Sequence, residues 1–235
     1  MNLLLLSNST NFGDPYLFHA KDVIASFLTG ITEVLFIPYA GVTLSYDDYE
    51  TKVQESMKGS HIQFTSIHHH PNPKEAVLAA EAVAVGGGNT FQLLATLQKL
   101  ELMEIMKDKV SGGMPYVGWS AGSNIAGPTI CTSNDMPIIE PISFVALNFV
   151  PFQINPHYTE KVIPNHGGES RQDRLREYVE LNPKSEVLCM PEGTWFELKN
   201  NQPHMGGQKK IMRLLHGQEL EEASDETYQS AFASK

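Results

Sequence analysis

The chain has 235 residues, of which 41% are hydrophobic, so it can bury a sizeable core and is not an intrinsically disordered protein. Its 27 Asp and Glu residues outnumber 17 Lys and Arg, and the net charge of −10 makes nucleic acid and anionic membranes poor partners. Two cysteines form no disulfide framework, and the apolar run at 3–6 is too short for a signal peptide or a membrane span, so we expect a cytoplasmic protein. Because no linker divides the chain, we expect one domain over residues 1–235.

Buried strands and helices alternate over the first half of the chain. The predicted strands are residues 3–6, 34–37, 62–67, 82–85 and 114–117. The predicted helices are residues 16–28, 45–58, 73–80, a segment around 91–97, and 102–110. This alternation predicts an α/β fold with a mostly parallel sheet that is covered by helices on both faces.

The pattern changes after Ala126. Short β-rich pieces at 128–131, 136–139 and 144–154 are separated by prolines, which favours antiparallel additions or long loops. Farther along we predict a helix at 170–181, a buried strand at 186–190, and a hairpin of 195–198 with 210–215. The acidic tail from about residue 219 is predicted to be frayed.

A G-x-S-x-G pattern follows the fifth predicted strand. Gly118, Ser120 and Gly122 have the spacing of a sharp strand-to-helix turn that presents a serine hydroxyl above the sheet edge. Ser120 is therefore the candidate nucleophile. The alternative is a glycine-rich turn in which this serine only caps the following helix.

A glycine triplet, Gly86-Gly87-Gly88, follows the fourth predicted strand. It could be the phosphate loop of a dinucleotide site, but Phe91 stands where the last glycine of G-x-G-x-x-G belongs. We favour an oxyanion hole, in which the N–H groups of Gly88 and Ala121 bind a developing negative charge. A plain tight turn remains the structural alternative.

A serine nucleophile needs a base and an acid that orients it. His157 follows a hydrophobic run that ends at the sheet rim, in a loop preset by Pro156, and is the first candidate for the base; His166 is the second. The orienting acid is either Glu192, directly after a buried strand, or Asp135, which gives the chain order Ser, Asp, His.

Two other groups of residues stand out. His68, His69 and His70 are read as the exposed end of a strand, where neighbouring side chains point to opposite faces and cannot converge on one metal, so no metal site is predicted. Arg171 and Arg174 share one face of a predicted helix start, which suits an acidic substrate in this acidic chain. A solvated helix face with intrahelical ion pairs is the alternative for the two arginines.

Four segments in order resemble the peptidase E family of serine peptidases, the α-aspartyl dipeptidases related to cyanophycinase. They are residues 86–94, 118–123, 155–158 and 167–174, and the likeness extends from residue 1 to about 215. The resemblance implies a fold like that of class I glutamine amidotransferases (flavodoxin-like), with a nucleophile elbow that carries serine in place of cysteine.

The resemblance also implies residue roles. Ser120 matches the family nucleophile, His157 matches its base, and both Asp135 and Glu192 match acidic positions, so the third member stays open. Asn89 and Arg171 fall where side chains for the substrate's aspartate are expected.

We therefore predict a serine dipeptidase that hydrolyses Asp-Xaa and releases free Asp without a metal or cofactor. Its expected partners are small acidic dipeptides and neither nucleic acid nor membrane, and a homodimer is left open. The alternatives are a serine esterase or acyl hydrolase with the same elbow, and a non-catalytic nucleotide-binding module.

Overall fold

The structure, a computed structural model, describes residues 1–161 and 167–232, and two β-sheets organise this part of the chain. The strands are β1 (Leu3–Leu6), β2 (Glu33–Ile37), β3 (Gln63–Ser66), β4 (Val83–Val85), β5 (Tyr116–Trp119), β6 (Gln153–Tyr158), β7 (Glu186–Pro191), β8 (Thr194–Lys199), β9 (Gln202–Gly207), β10 (Met212–Leu215) and β11 (Glu221–Glu222). The helices are α1 (Lys21–Phe27), α2 (Tyr46–Ser56), α3 (Pro73–Ala79), α4 (Thr90–Lys99), α5 (Met103–Ser111), α6 (Ala121–Asn124), α7 (Arg171–Leu181) and α8 (Asp225–Phe232). None of the helices in the described ranges is both long and apolar enough to cross a bilayer.

The larger sheet has seven strands in the order β3-β2-β4-β5-β1-β8-β9. The strands from β3 to β1 are parallel, whereas β8 is antiparallel to β1 and β9 to β8. Alternate residues of β1 enter different cores: Leu3 and Leu5 pack with residues of α4 and α5, and Leu4 and Leu6 pack with residues of α1 and α2. Helices thus cover both faces, and the predicted fold class is confirmed.

The smaller sheet has four strands in the order β11-β10-β7-β6, with β6 and β7 parallel. The predicted hairpin of residues 195–198 with 210–215 is wrong, because β8 pairs with β9, and β10 pairs with β7 and β11. Asn200 and Asn201 both have positive φ, 52° and 60°, which is the conformation of a two-residue hairpin turn. Because this tight turn reverses the chain within two residues, the hairpin partner of β8 is β9 and not residues 210–215.

The stretch between α6 and β6 is mostly irregular. Residues 125–152 are all described and contain no regular strand. A single bridge joins Thr129 and Val145, and β6 begins at Gln153, near the end of the last predicted β-rich piece. Four prolines interrupt residues 128–151, and a proline cannot donate a ladder hydrogen bond.

The described part of the acidic tail, residues 219–232, is not frayed. Beyond residue 219 the chain forms β11 and α8, and the Tyr228 and Phe232 side chains are buried. The Tyr228 ring lies 4.6 Å from that of Phe152, and the Phe232 ring 6.1 Å from that of Phe196. The prediction was wrong because it weighed the charges and overlooked two aromatic residues four positions apart on one helix face.

The histidine run lies at the end of β3, but not in extended conformation. Ile67–His69 is a 3-10 turn, so neighbouring side chains do not alternate between opposite faces. The His68 and His69 rings lie 3.9 Å apart between centroids. The argument that these histidines cannot converge is therefore wrong for this pair.

Candidate active site

Ser120 occupies a strained turn between β5 and α6. Its backbone has φ 53° and ψ −111°, which non-glycine residues rarely adopt and which is found mainly at functional sites. The glycine at position 122 is required by packing, because a Cβ there would lie 2.1 Å from the Val85 carbonyl oxygen. The G-x-S-x-G pattern thus lets α6 start close against β4 and present Ser120 at the carboxyl end of β5.

A chain of two hydrogen bonds links Ser120 to an acid. The Ser120 Oγ lies 3.0 Å from His157 Nε2, and His157 Nδ1 lies 2.9 Å from Glu192 Oε1. His157 belongs to β6 and has φ 54°, and Glu192 directly follows β7. The serine therefore comes from the larger sheet, while the histidine and the acid come from the smaller one.

Polar residues that directly follow β1 join the two sheets next to the hydrogen-bonded series of Ser120, His157 and Glu192. The buried Ser7 hydroxyl donates to the Met190 carbonyl (2.8 Å) and accepts from the His157 N–H (3.0 Å). Asn8 Oδ1 accepts a hydrogen bond of 2.7 Å from the Gly193 N–H. Sequence reasoning missed both roles, although two polar residues directly after a fully apolar strand were the available signal.

Asp135 is bonded to partners other than His157. Its Oδ2 accepts hydrogen bonds from the Thr90 N–H (2.8 Å), the Thr90 hydroxyl (2.6 Å) and the Ser133 hydroxyl (3.1 Å). These are contacts to the first turn of α4 and to its own loop, whereas the acid that contacts His157 is Glu192. Of the two acids that the sequence left open, the structure brings Glu192 to the histidine and Asp135 to the start of α4.

The glycine loop lies beside Ser120. Gly88 has φ 138°, and a Cβ there would lie 2.2 Å from the Ala40 carbonyl oxygen, so only glycine fits. A Cβ at Gly87 would lie 3.0 Å from that of Ser120. The Ala121 N–H is at the first position of α6 and has no acceptor within the helix. The loop and the helix start therefore converge next to the serine, as an oxyanion hole requires.

Tyr49 supports the glycine loop from below. Its hydroxyl donates to the Gly87 carbonyl (2.9 Å) and lies 3.2 Å from Tyr16 Oη, and Trp119 Nε1 donates to both hydroxyls. Burial raises the pKa of Tyr49 and, more strongly, that of Tyr16. Both phenols therefore stay protonated at neutral pH, and Tyr49 holds the loop as a neutral donor.

A cavity of about 690 Å³ opens above these residues. Its lining includes Ser120, His157, Gly88, Asn89 and Asp135. The Asn89 side chain caps α4 by accepting from the Gln92 N–H (3.0 Å) and donates to the Met136 carbonyl (2.8 Å), which leaves one amide hydrogen for a ligand. The volume suits a small molecule such as a dipeptide.

The two arginines differ in environment. Arg171 is half-buried, and its Nη1 is buried without a hydrogen-bond partner among the described residues. Desolvation, and next the charge of Arg174, lower the pKa of Arg171, while the charge of Asp135 opposes this shift. The Arg174 side chain is 68% exposed and lies 3.8 Å from Glu169. His166, the second candidate base, lies outside the described residues.

The fold and this geometry define a serine hydrolase built on a mostly parallel α/β sheet. The model of Peptidase family S51 matches residues 3–206, most of the chain. The chain therefore belongs to peptidase family S51, and the resemblance found in the sequence is confirmed.

Curated relatives agree with this membership, and a solved structure has a similar fold. A peptidase E from Nostoc sp. (strain PCC 7120) is 50% identical over 221 residues, which are 94% of this chain and 91% of the relative. A peptidase E from Shewanella denitrificans is 44% identical over 221 residues, 94% of both chains. A candidate peptidase E from Listeria monocytogenes EGD-e has a TM-score of 0.68 at 19% identity and covers 88% of this chain and 98% of its own, which concerns the fold alone.

Proposed function

We propose that this protein is a serine dipeptidase that hydrolyses dipeptides with an N-terminal aspartate. The observation that carries the proposal is the hydrogen-bonded series Ser120, His157 and Glu192 at the carboxyl edge of the sheets, with donor–acceptor distances of 3.0 and 2.9 Å. Both distances fall within the range needed for proton transfer and for orientation of the base. The relatives named peptidase E support the same activity.

The reaction follows from the roles of these groups. His157 Nε2 takes the proton of Ser120 as the oxygen attacks the scissile carbonyl carbon, and Glu192 stabilises the imidazolium that forms. The N–H groups of Gly88 and Ala121 bind the oxyanion of the tetrahedral intermediate. His157 then gives the proton to the leaving amine, and water, activated by the same histidine, hydrolyses the aspartyl ester to release free Asp.

Arg171 accounts for the preference for an acidic residue. A buried guanidinium nitrogen without a partner costs free energy that a carboxylate would offset with a charge-assisted hydrogen bond. In a chain with a net charge of −10, such short-range pairing is what attracts an acidic dipeptide. Arg174, which is exposed and paired with Glu169, is the weaker candidate for this role.

The nucleophile is tested by Ser120→Ala with Asp-Leu as substrate. We expect kcat to fall by at least about 10³-fold, because removal of a triad serine leaves only binding and the oxyanion hole. Circular dichroism checks that the variant is folded. Full hydrolysis of Asp-Leu by the folded variant would remove the proposal.

Specificity is tested with Asp-p-nitroanilide, a neutral p-nitrophenyl ester, and the matched pair Arg171→Met and Arg174→Met. We expect the wild type to prefer the aspartyl anilide, and KM for it to rise in Arg171→Met but to stay near wild type in Arg174→Met. If the neutral ester is the better substrate and Arg171→Met changes nothing, the enzyme is an esterase with the same elbow.

A further inference from the structure

A second group of polar side chains lies outside the cavity that holds Ser120. Asp47 and Glu50 stand one turn apart in the first half of α2, and His68 and His69 belong to the 3-10 turn after β3. Asp47, His68 and His69 each bring one donor atom, and these atoms all lie within 4.8 Å of one another. None of the four takes part in the proposed peptidase mechanism.

The distances between these atoms suit a metal ion. Asp47 Oδ1 lies 3.0 Å from His68 Nε2 and 3.7 Å from His69 Nε2. With bonds of about 2.0–2.1 Å, the donors of a tetrahedral zinc site lie roughly 3.3 Å apart. The two separations from Asp47 bracket that value, and the two histidine nitrogens lie within 4.8 Å of each other, so rotations of the side chains bring all three donors to one ion.

Hydrogen bonds outside this group orient its members. His68 Nδ1 lies 2.6 Å from the hydroxyl of the buried Ser66, which leaves Nε2 of this ring for the metal. The Ser66 N–H donates to Glu50 Oε1 at 2.7 Å. The second oxygen of Glu50 lies 2.6 Å from His69 Nε2, the nitrogen that this histidine offers to the ion, so metal binding exchanges this hydrogen bond for a metal–nitrogen bond. A buried residue thus fixes one histidine and one carboxylate, as in the outer shell of a metal site.

We propose that Asp47, His68 and His69 bind one Zn²⁺ ion, with Glu50 beside them. Two imidazole nitrogens and one carboxylate oxygen form a ligand set that binds zinc, whereas magnesium binds oxygen ligands. The charges of Asp47 and Glu50 balance that of the ion, and each histidine binds it through a neutral imidazole nitrogen. The ion joins α2, whose Tyr49 supports the glycine loop, to the end of β3.

The test is isothermal titration calorimetry with ZnCl₂ on the full chain, made without a histidine tag and treated with chelator. We expect one Zn²⁺ per chain and no binding of Mg²⁺. Affinity is expected to fall at least about tenfold in His69→Ala and in Asp47→Asn, since even outer-shell changes cost 10–100-fold. His70→Ala, which alters the adjacent histidine outside the group, is the matched control and should bind like the wild type.

A spectroscopic measurement checks the ligands directly. When Co²⁺ replaces Zn²⁺, we expect the wild type and His70→Ala to show the strong visible d–d absorption of four-coordinate Co²⁺. His69→Ala should not show it. Circular dichroism in chelator shows that the variants are folded. The proposal is overturned if the wild type binds no Zn²⁺, or if His69→Ala and Asp47→Asn bind it as tightly as His70→Ala.

Discussion

Glu192→Gln keeps the shape of the side chain and removes its charge. The wild-type carboxylate accepts a charge-assisted hydrogen bond from His157 at 2.9 Å, and such bonds contribute about 1.5–3 kcal/mol. At about 1.4 kcal/mol per factor of ten, the full interaction corresponds to roughly 10–150-fold in rate. The side chains of His157 and Glu192 are 38% and 44% exposed, so water replaces part of it. We expect kcat to fall by roughly 10–50-fold, with KM unchanged, on these grounds.

The assay is kcat and KM for Asp-p-nitroanilide, compared between Glu192→Gln and Asp135→Asn. Asp135 contacts Thr90 and not His157, so Asp135→Asn should keep the wild-type kcat. A lowered kcat in Asp135→Asn together with an unchanged one in Glu192→Gln would refute the reasoning.

Three further predictions concern stability and are measured by urea denaturation. Ser7→Ala should lower the free energy of unfolding by about 1–3 kcal/mol, because the His157 N–H and the Met190 carbonyl lose their partner at this buried position; an unchanged value would contradict the role of Ser7. Phe232→Ala should lower the free energy of unfolding by about 3 kcal/mol, because this ring is buried. The control Phe12→Ala, at a fully exposed position, should leave it almost unchanged. Equal effects of the two substitutions would mean that the tail is frayed. Burial lowers the pKa of His19 from 6.5, so the unfolded chain binds more protons at this residue and the free energy of unfolding should fall as the pH drops below about 6.5. In His19→Phe this fall should be smaller. A pH dependence of stability equal to that of the wild type would contradict the role of His19.

The five parallel strands of the larger sheet could be predicted from the sequence because they are short apolar or alternating segments separated by helices. The antiparallel edge of that sheet, β8 and β9, and the smaller sheet could not be predicted in the same way. The partner of β8 is set by the positive φ of Asn200 and Asn201, and a polar four-residue turn does not reveal which two residues adopt it. The pairing of β10 with β7 joins residues far apart in the chain, and no local pattern records it.

At the candidate site, the sequence identified Ser120 and the glycine loop because each directly follows a strand, and His157 because it ends a hydrophobic run at the sheet rim. The structure places His157 in β6 and not in the predicted proline-fixed loop. The sequence could not choose between Asp135 and Glu192, since both are acids after strands or turns. That choice depends on the relative position of the two sheets, which Ser7 and Asn8 help to set. The histidine run stood out in the sequence, but the prediction that its side chains cannot converge was wrong for His68 and His69, because a 3-10 turn was read as a strand end.

Because the site is divided between two sheets, formation of the larger sheet and assembly of the site can be followed by different signals during folding. Both tryptophans, Trp119 and Trp195, lie in the seven-stranded sheet, whereas His157 and Glu192 come from the other one. During refolding, tryptophan fluorescence follows the first sheet, and hydrolysis returns only when the second has docked onto it. A lag between the two signals would measure the docking step, and coincident signals would mean that both sheets form in one cooperative transition.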